Sequence, residues 1–198
     1  QRNGRSVAML AAAEPERSTI HRIKAKQTPA AEGMASEHFY GVRETVHVAL
    51  DAPSMLTSNL HTKYGMVNGA TCVPRRVYYA PGTRAPALPT AVVVQMDKYT
   101  GPEMVKGHPK HVVIRPIRRQ HQDRPGLERT SIPLRLAWAT TINKSQGLGI
   151  QGPVTIDLTP SHRHAKYQPI TERGMLYTAL TRAVDWKSVA LFRLPPFS

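Results

Sequence analysis

The stretch "TTINKSQGLGI" (residues 140–150) joins a β-branched segment to a polar turn that closes on glycine. Thr140, Thr141 and Ile142 are typical of a strand, and the next five residues, 143–147, crowd amide, ammonium and hydroxyl groups together. In α/β proteins, ligand-binding groups concentrate where a strand ends in such a turn. The stretch therefore predicts a strand followed by a turn whose donors suit phosphate oxygens.

The segments that follow this turn alternate between strand and helix patterns. "GPVTIDL" (152–158) and "SVALFRL" (188–194) are typical of strands, and "ERGMLYTALTRAV" (172–184) has a helical spacing of apolar residues. A strand, a helix and a second strand in this order indicate a parallel sheet with a crossover helix. The helix face predicted to lie on the sheet consists of Leu176, Ala179, Leu180 and Ala183.

Arg182 lies outside that apolar face, close to the loop that follows the helix. A surface arginine is ordinary, but this one shares a βαβ arrangement with the turn 143–147. A guanidinium beside a glycine turn can stabilise a transferring phosphoryl group. Arg182 is therefore a candidate phosphate ligand.

The middle of the chain has a different texture. "TCVPRRVYYA" (71–80), "TAVVVQMDKY" (90–99) and "HVVIRPIRR" (111–119) are short strand candidates separated by Pro and Gly. Short strands with turn signals between them describe a small barrel or sandwich. The sequence thus predicts an α/β domain that is interrupted by a small β domain.

Composition limits the classes of function. The 198 residues include 27 Lys or Arg against 13 Asp or Glu, a net charge of +14, which favours a polyanionic partner, nucleic acid before an anionic membrane surface. No apolar run approaches the roughly 20 residues of a membrane span. Cys72 is the single cysteine, so the sequence predicts neither an intrachain disulfide nor a cysteine-rich metal site.

Five collinear segments resemble superfamily-one helicases of the petite-integration-frequency type, relatives of the RecD-like helicases. "LAWATTINKSQGLGI" (136–150) resembles their motif V, and "RGMLYTALTRAVDWKSVALF" (173–192) resembles motif VI. "SMLTSNLHTKYGMVNGATCVPRRVYYAPG" (54–82), "LPTAVVVQMDKYTGP" (88–102) and "HVVIRPIRR" resemble the stretch before motif V, in the same order and spacing.

The resemblance implies a fold and a domain arrangement. Residues 36–70 and 133–198 would form the second RecA-like domain, an α/β parallel-sheet domain, and residues 1–35 a segment at its edge. Residues 71–132 would be an inserted SH3-like β-barrel. Such helicases bind ATP between two RecA-like domains, and single-stranded DNA crosses both.

The resemblance also implies roles for single residues. Arg182 would be the arginine finger on the ATP γ-phosphate, and Gln146 and Gly147 would face the nucleotide. The remaining motif V residues would face the DNA phosphates or couple the nucleotide and DNA sites; they are Thr141, Asn143, Lys144 and Ser145. From charge alone, the basic segment 106–129 is a further candidate DNA path, represented by Arg118 and Arg119.

The phosphate cradle of a helicase motor is absent from the sequence. No G-x-x-x-x-G-K-[ST] loop occurs, and no adjacent Asp-Glu pair offers a magnesium site. We therefore expect ATP and Mg²⁺ to act in the complete helicase, with neither held by this chain alone. The expected partners are single-stranded DNA, DNA junctions and the missing first RecA-like domain, without a membrane.

These observations predict the C-terminal part of an ATP-dependent DNA helicase that is inactive alone. By resemblance, unwinding would run 5′ to 3′ in the nucleus or mitochondrion, in DNA repair, recombination and telomere maintenance. Two other classes stay open. One is a stand-alone basic nucleic-acid-binding module or remnant without ATPase activity, and the other is a structural, protein-binding domain whose charge is incidental.

Overall fold

The computed structural model describes residues 20–139, 141–147, 149–150, 152–157 and 174–192. The chain divides into two compact units, residues 1–139 and 140–198. The first unit contains β1 (Ile20–Lys24), β2 (Lys26–Gln27), β3 (Thr45–Ala49), β4 (Ser54–Leu56), β5 (Thr71–Tyr78), β6 (Ala91–Gln95), β7 (His111–Ile114), β8 (Ile117–Gln120), β9 (Glu128–Ser131) and β10 (Leu134–Leu136). The second contains α1 (Ile142–Ser145), β11 (Val154–Asp157), α2 (Met175–Leu180) and β12 (Val189–Phe192).

An antiparallel sheet with the strand order β10-β4-β5-β6-β7 dominates the first unit. Its register places Leu134 opposite Leu56 and Val92 opposite Ile114. The strand patterns 71–80, 90–99 and 111–119 each contain one of its strands, and the third continues, after Pro116, into β8 of a separate sheet. The predicted β texture of this region is therefore confirmed.

One apolar core lies under this sheet and the β1–β3 pair. Val92 and Val94 on β6, and Val112 and Ile114 on β7, are fully buried because alternate residues of a strand point to the same face. The same cluster contains Ile23, Val46, Val48, Leu56, Met66, Cys72, Met96, Tyr99, Ile132 and Leu134. Segments as far apart as 20–24 and 132–134 thus share one core.

A third sheet in the first unit, β2-β9-β8, carries a buried arginine on its central strand. Arg129 on β9 is 0% exposed. Its Nε donates a hydrogen bond to Gln27 Oε1 at 2.6 Å. Its terminal nitrogens donate to the carbonyl oxygens of Val42 at 3.2 Å, Ala31 at 2.8 Å and Met34 at 3.0 Å. Four of its five N–H donors are therefore occupied by three separate segments.

None of the ion pairs among the described residues joins Arg129 to a carboxylate. Its guanidinium carbon lies 4.2 Å from the centroid of the Phe39 ring, a cation–π geometry. Burial lowers the pKa of Arg129 from its ordinary value, while the Glu44 carboxylate acts in the opposite direction. Arginine stays protonated in proteins, so this is a charged residue inside the unit. Arg129 belongs to the basic segment 106–129, and its burial removes it from any DNA path.

The second unit is a small α/β arrangement. β11 and β12 pair in parallel, from Val154 opposite Val189 to Asp157 opposite Phe192. Ile156 and Ala179 are its buried apolar residues, and Ile142, Val154, Leu176 and Val189 pack on them. The parallel pairing predicted from the strand patterns at 152–158 and 188–194 is confirmed, while residues 158–173 lie outside the described ranges.

Two local predictions are wrong. The strand expected at residues 140–142 is not formed at 141–142, the part of it that the structure describes, because Ser145 N donates to Thr141 O at 3.0 Å and closes a helical turn, α1. The nearest strand, β10, ends at Leu136. The burial expected for Leu180 is also wrong: the helix predicted over 172–184 is confirmed at Met175–Leu180, but Leu180 is 39% exposed.

The β4–β5 ladder crosses the boundary expected at residue 70, whereas the β4–β10 ladder joins the two segments expected to form one domain. β4, from the 36–70 segment, pairs with β10 from beyond residue 132 and also with β5, from the 71–132 segment. The compact units divide at residue 139 rather than at 70 and 132. The physical reason is that residues on both sides of these boundaries fill a single core. The assignment of the segments to a RecA-like domain and a barrel stays a prediction.

The first prediction concerns Arg129. We expect Arg129→Lys to destabilise the first unit by about 2–5 kcal/mol, because an ammonium group has three donors in a different geometry and leaves buried acceptors unpaired. Urea unfolding followed by circular dichroism would measure this. Arg119→Lys, on the adjacent strand, is the matched control and should change stability by less than about 0.5 kcal/mol. Equal effects of the two substitutions would contradict the structural role of Arg129.

The second prediction concerns the segment 71–132. Replacing it with a Gly-Ser linker should unfold the first unit, since the deletion removes β5 to β9 and half of the shared core. The loss of a cooperative thermal transition would show this. As a control for the introduced linker, replacing only the loop 104–107 with Gly-Ser should preserve the cooperative thermal transition. A deletion variant that still unfolds cooperatively would support a separable insertion.

Candidate nucleotide and nucleic-acid contacts

The turn at residues 143–147 is built around Ser145. Its hydroxyl donates to the carbonyl oxygen of Ile142 at 2.7 Å, and the residue is 4% exposed. The adjacent Gln146 and Gly147 are exposed, and Gly147 has a φ of +77°, a left-handed conformation that favours glycine. The structure therefore separates an inward Ser145 from an outward Gln146–Gly147 pair.

The other motif V candidates are described less completely. Thr141 is partly buried, directly before α1. Asn143 and Lys144 occupy the middle of α1, and their side chains lie outside the described part of the structure. Their expected contacts with DNA phosphates stay predictions.

Arg182 follows the end of α2 and is half-buried. Its Nε donates to Thr178 O at 3.1 Å, and its Nη2 donates to Thr181 Oγ1 at 2.9 Å. These bonds hold the guanidinium against the last turn of α2 and occupy two of its five donors. The carbonyl at a helix C-terminus is a favourable partner for a cation.

The backbone of Arg182 is tied to the segment that follows the turn. Ile150 N donates to Arg182 O at 2.7 Å, and Val184 N donates to Ile150 O at 3.0 Å, which forms a parallel bridge between Ile150 and Ala183. Within the second unit, the structure thus brings Arg182 beside a segment three residues past Gly147. The two parts of the predicted nucleotide site share one local framework.

Arg118 and Arg119 do not form one surface. They are consecutive residues of β8, so their side chains point to opposite faces. Arg118 is on the exposed face, where it forms an ion pair with Glu128. The hydrogen bond between Arg118 and Glu128 raises the pKa of Arg118. The same bond and a second one from Gln120 lower the pKa of Glu128. Arg119 is partly buried on the face that also carries Arg129.

An aromatic cluster in the first unit was not predicted from the sequence. The ring centroids of His61 and Tyr64 are 4.3 Å apart with a 27° interplanar angle, and Tyr99 meets Tyr64 edge-on at 6.3 Å. The His61–Tyr64 spacing in "NLHTKYG" was the one available signal in the sequence. The contact to Tyr99 depends on tertiary structure.

Metal and thiol chemistry find no support in the described ranges. Among those residues, no three His, Cys, Asp or Glu side chains come together as a metal site. Cys72 is buried, and this desolvation raises its pKa to about 12, far from a reactive thiolate. No helix in these ranges is long and apolar enough to cross a membrane.

Comparison with known proteins finds relatives among helicases. No protein-family model matches the chain. The "ATP-dependent DNA helicase RRM3" of Saccharomyces cerevisiae is 41% identical over 71 residues, which cover 36% of this chain and 8% of the helicase. The "ATP-dependent DNA helicase PIF6" of Trypanosoma brucei brucei is 30% identical over 177 residues, which cover 89% of this chain and 20% of the helicase.

A solved structure has a similar fold. The crystal structure of Bacteroides Pif1 bound to single-stranded DNA superposes with a TM-score of 0.60 at 17% identity, covering 96% of this chain and 38% of that one. The chain thus spans a fifth or less of the length of its two curated relatives. These comparisons support a Pif1-type helicase fragment and confirm the resemblance found in motifs V and VI.

Proposed function

Starting from this likeness to Pif1-type helicases, we propose that the chain is the C-terminal part of an ATP-dependent DNA helicase. In this proposal it contributes an arginine finger and contacts to single-stranded DNA, and it does not hydrolyse ATP alone. The observation that carries the proposal is the 30% identity to PIF6 over 89% of the chain.

The nucleotide role rests on Arg182. Its guanidinium is half-buried, positively charged and pre-positioned by two hydrogen bonds to α2. Three N–H donors remain beyond those two bonds, enough for a bidentate contact with a phosphate. The exposed Gln146–Gly147 pair lies a few residues from the bridge to Arg182 and suits a contact with the same nucleotide.

The remaining groups of an ATPase site come from elsewhere in this proposal. The donor set around Arg182 fits a γ-phosphate, but the sequence offers neither a phosphate-binding loop nor an adjacent pair of carboxylates for magnesium. A first RecA-like domain of the complete helicase would hold the β-phosphate and Mg²⁺. Hydrolysis of ATP there would supply the free energy for unwinding, and Arg182 would stabilise charge on the γ-phosphate.

The DNA role rests on charge and on motif V. The net charge of +14 suits a phosphate backbone, and the structure of the similar Bacteroides Pif1 is described as bound to single-stranded DNA. Thr141, Asn143 and Lys144 are the proposed phosphate contacts. Ser145 would act by shaping α1, because its hydroxyl is bonded within the turn. DNA junctions are further proposed substrates.

The proposal also includes the domain boundaries, the direction of unwinding and the cellular location. Residues 71–132 would include an SH3-like element that guides DNA, and residues 36–70 and 133–198 would belong to the second RecA-like domain. The direction of unwinding would be 5′ to 3′, in the nucleus or mitochondrion. The roles in repair, recombination and telomere maintenance follow from the family resemblance.

The third prediction tests the nucleotide role. In a helicase that carries this chain together with an ATP-binding first domain, Arg182→Ala should lower the ATP hydrolysis rate by about 10³- to 10⁵-fold. Single-strand affinity should stay nearly unchanged, because the substituted group faces the nucleotide. Steady-state hydrolysis and fluorescence anisotropy would measure the two effects.

Two further variants make this test specific. Arg182→Lys should restore little activity, because a point charge cannot reproduce the planar fork of a guanidinium. Lys144→Ala should instead weaken DNA binding and DNA-stimulated hydrolysis together. An Arg182→Ala helicase that retains its hydrolysis rate would refute the arginine finger. Hydrolysis by the 198-residue chain alone would refute the division of the site.

The fourth prediction tests a DNA path over β8. If single-stranded DNA follows its exposed face, Arg118→Ala should reduce the slope of log affinity against log salt by about 0.7, the value for one phosphate contact. Arg119→Ala is the matched control, because Arg119 points to the opposite face. Equal slopes for the wild type and the Arg118 variant would place the DNA elsewhere on the molecule.

A further inference from the structure

His61 forms an exposed aromatic surface on top of Tyr64. The two rings stack at 4.3 Å, and His61 is solvent-exposed while Tyr64 is half-buried. One face of the imidazole is therefore covered by the Tyr64 ring, and its opposite face is open to solvent. An aromatic ring with one supported face and one open face can accept a planar ligand by stacking.

Backbone hydrogen bonds close the loop that carries the His61 side chain. His61 and Met66 form an antiparallel bridge, with His61 N donating to Met66 O at 3.2 Å and Met66 N donating to His61 O at 3.1 Å. Tyr64 N also donates to His61 O at 3.1 Å. The loop that carries both rings is thus closed on itself.

A second loop packs closely against the Tyr64 ring. Gly65 has a φ of +80°, and a Cβ there would lie 2.7 Å from the carbonyl oxygen of Lys98. A Cβ on Gly101 would lie 2.8 Å from Tyr64 Cγ and would also collide with the Tyr99 hydroxyl. Both glycines allow the loops 61–65 and 97–102 to pack closely, and this packing supports the Tyr64 ring beneath His61.

Cations flank the stacked rings. Lys63 Nζ lies 5.9 Å from the centroid of the Tyr64 ring, and Lys98 is exposed on the opposing loop. Asp97 is also exposed beside Lys98, so the local charge is mixed rather than uniformly positive. An ammonium group near the stacked rings, with a second lysine on the opposing loop, suits the alternation of phosphate and base in a single strand.

We propose that His61, supported by Tyr64, is a stacking site for one unpaired nucleobase, with Lys63 and Lys98 contacting the neighbouring phosphates. The inference rests on the proposed function, because it adds a base contact to the proposed single-strand contacts. A base held in this way is read by its aromatic face and not by its hydrogen-bonding edge, so the site accepts every base.

The experiment uses the 198-residue chain and two single-stranded DNAs of equal length, one of thymidines and one in which the sugars carry no bases. Wild-type protein should bind the base-bearing strand more tightly. His61→Ala should lower that affinity by about 5- to 150-fold, the range for the loss of one stacked base, and leave affinity for the abasic strand unchanged. His61→Phe should restore the preference.

His38→Ala is the matched control. His38 is also exposed, and its ring stacks on His121 at 4.8 Å, so this variant removes an equivalent imidazole elsewhere in the first unit. Its affinity for both strands should equal that of the wild type. A strand that carries 2-aminopurine gives a second readout, because stacking on His61 should quench its fluorescence and His61→Ala should restore it.

The outcomes separate the two proposals. Wild-type protein that binds neither strand would overturn the proposed DNA contacts and the stacking site together. Wild-type protein that binds both strands equally, or a His61→Ala variant that keeps the full preference for bases, would overturn the stacking site alone. A loss of preference in His61→Ala, with recovery in His61→Phe, would establish it.

Discussion

The hydrogen bonds of Arg129 connect parts of the first unit that are far apart in sequence. Its guanidinium joins β9 to Gln27 on β2 and to the carbonyl groups of residues 31, 34 and 42. The peptide between β2 and β3 has little regular structure apart from two short 3-10 helices, at Pro29–Ala31 and Ser36–Phe39. Because buried carbonyl groups need partners, this one side chain lets an irregular segment lie against a sheet, and Phe39 covers the charge.

The two units differ in the size of their apolar cores and in the side chains they expose. The first has a continuous apolar core and carries the aromatic pair His61–Tyr64 on tightly packed loops, an arrangement that suits a rigid contact surface. The second has a small core around Ile156 and Ala179, and its described residues leave Tyr177, Trp186 and Val184 strongly exposed. Its functional candidate, Arg182, is held by bonds within α2 and by one backbone bridge. Such local support suits the proposed role of Arg182, because a guanidinium positioned in advance loses less entropy on binding.

Local patterns in the sequence succeeded where the decisive interactions are themselves local. Alternating apolar residues marked β6 and β7, and the strand-helix-strand pattern marked the parallel pair β11–β12. They failed at residues 141–142, where β-branched side chains favour a strand but the bond from Ser145 N to Thr141 O forms a helical turn. They also misplaced Leu180, whose exposure depends on what packs against α2 rather than on helical spacing. Propensity is a weak prior that tertiary context overrides.

The sequence by itself determined the strand content of residues 71–119, the parallel pairing near the C-terminus, the basic charge and the likeness to Pif1-type helicases, because each is written in neighbouring residues or in collinear motifs. Tertiary structure alone decided which cations face solvent. Arg118, Arg119 and Arg129 are the same residue type within twelve positions, yet one is paired on the surface, one points to the opposite face and one is buried. Their fates depend on the β8–β9 register and on the segments that pack against it, and neither can be read from a run of charges.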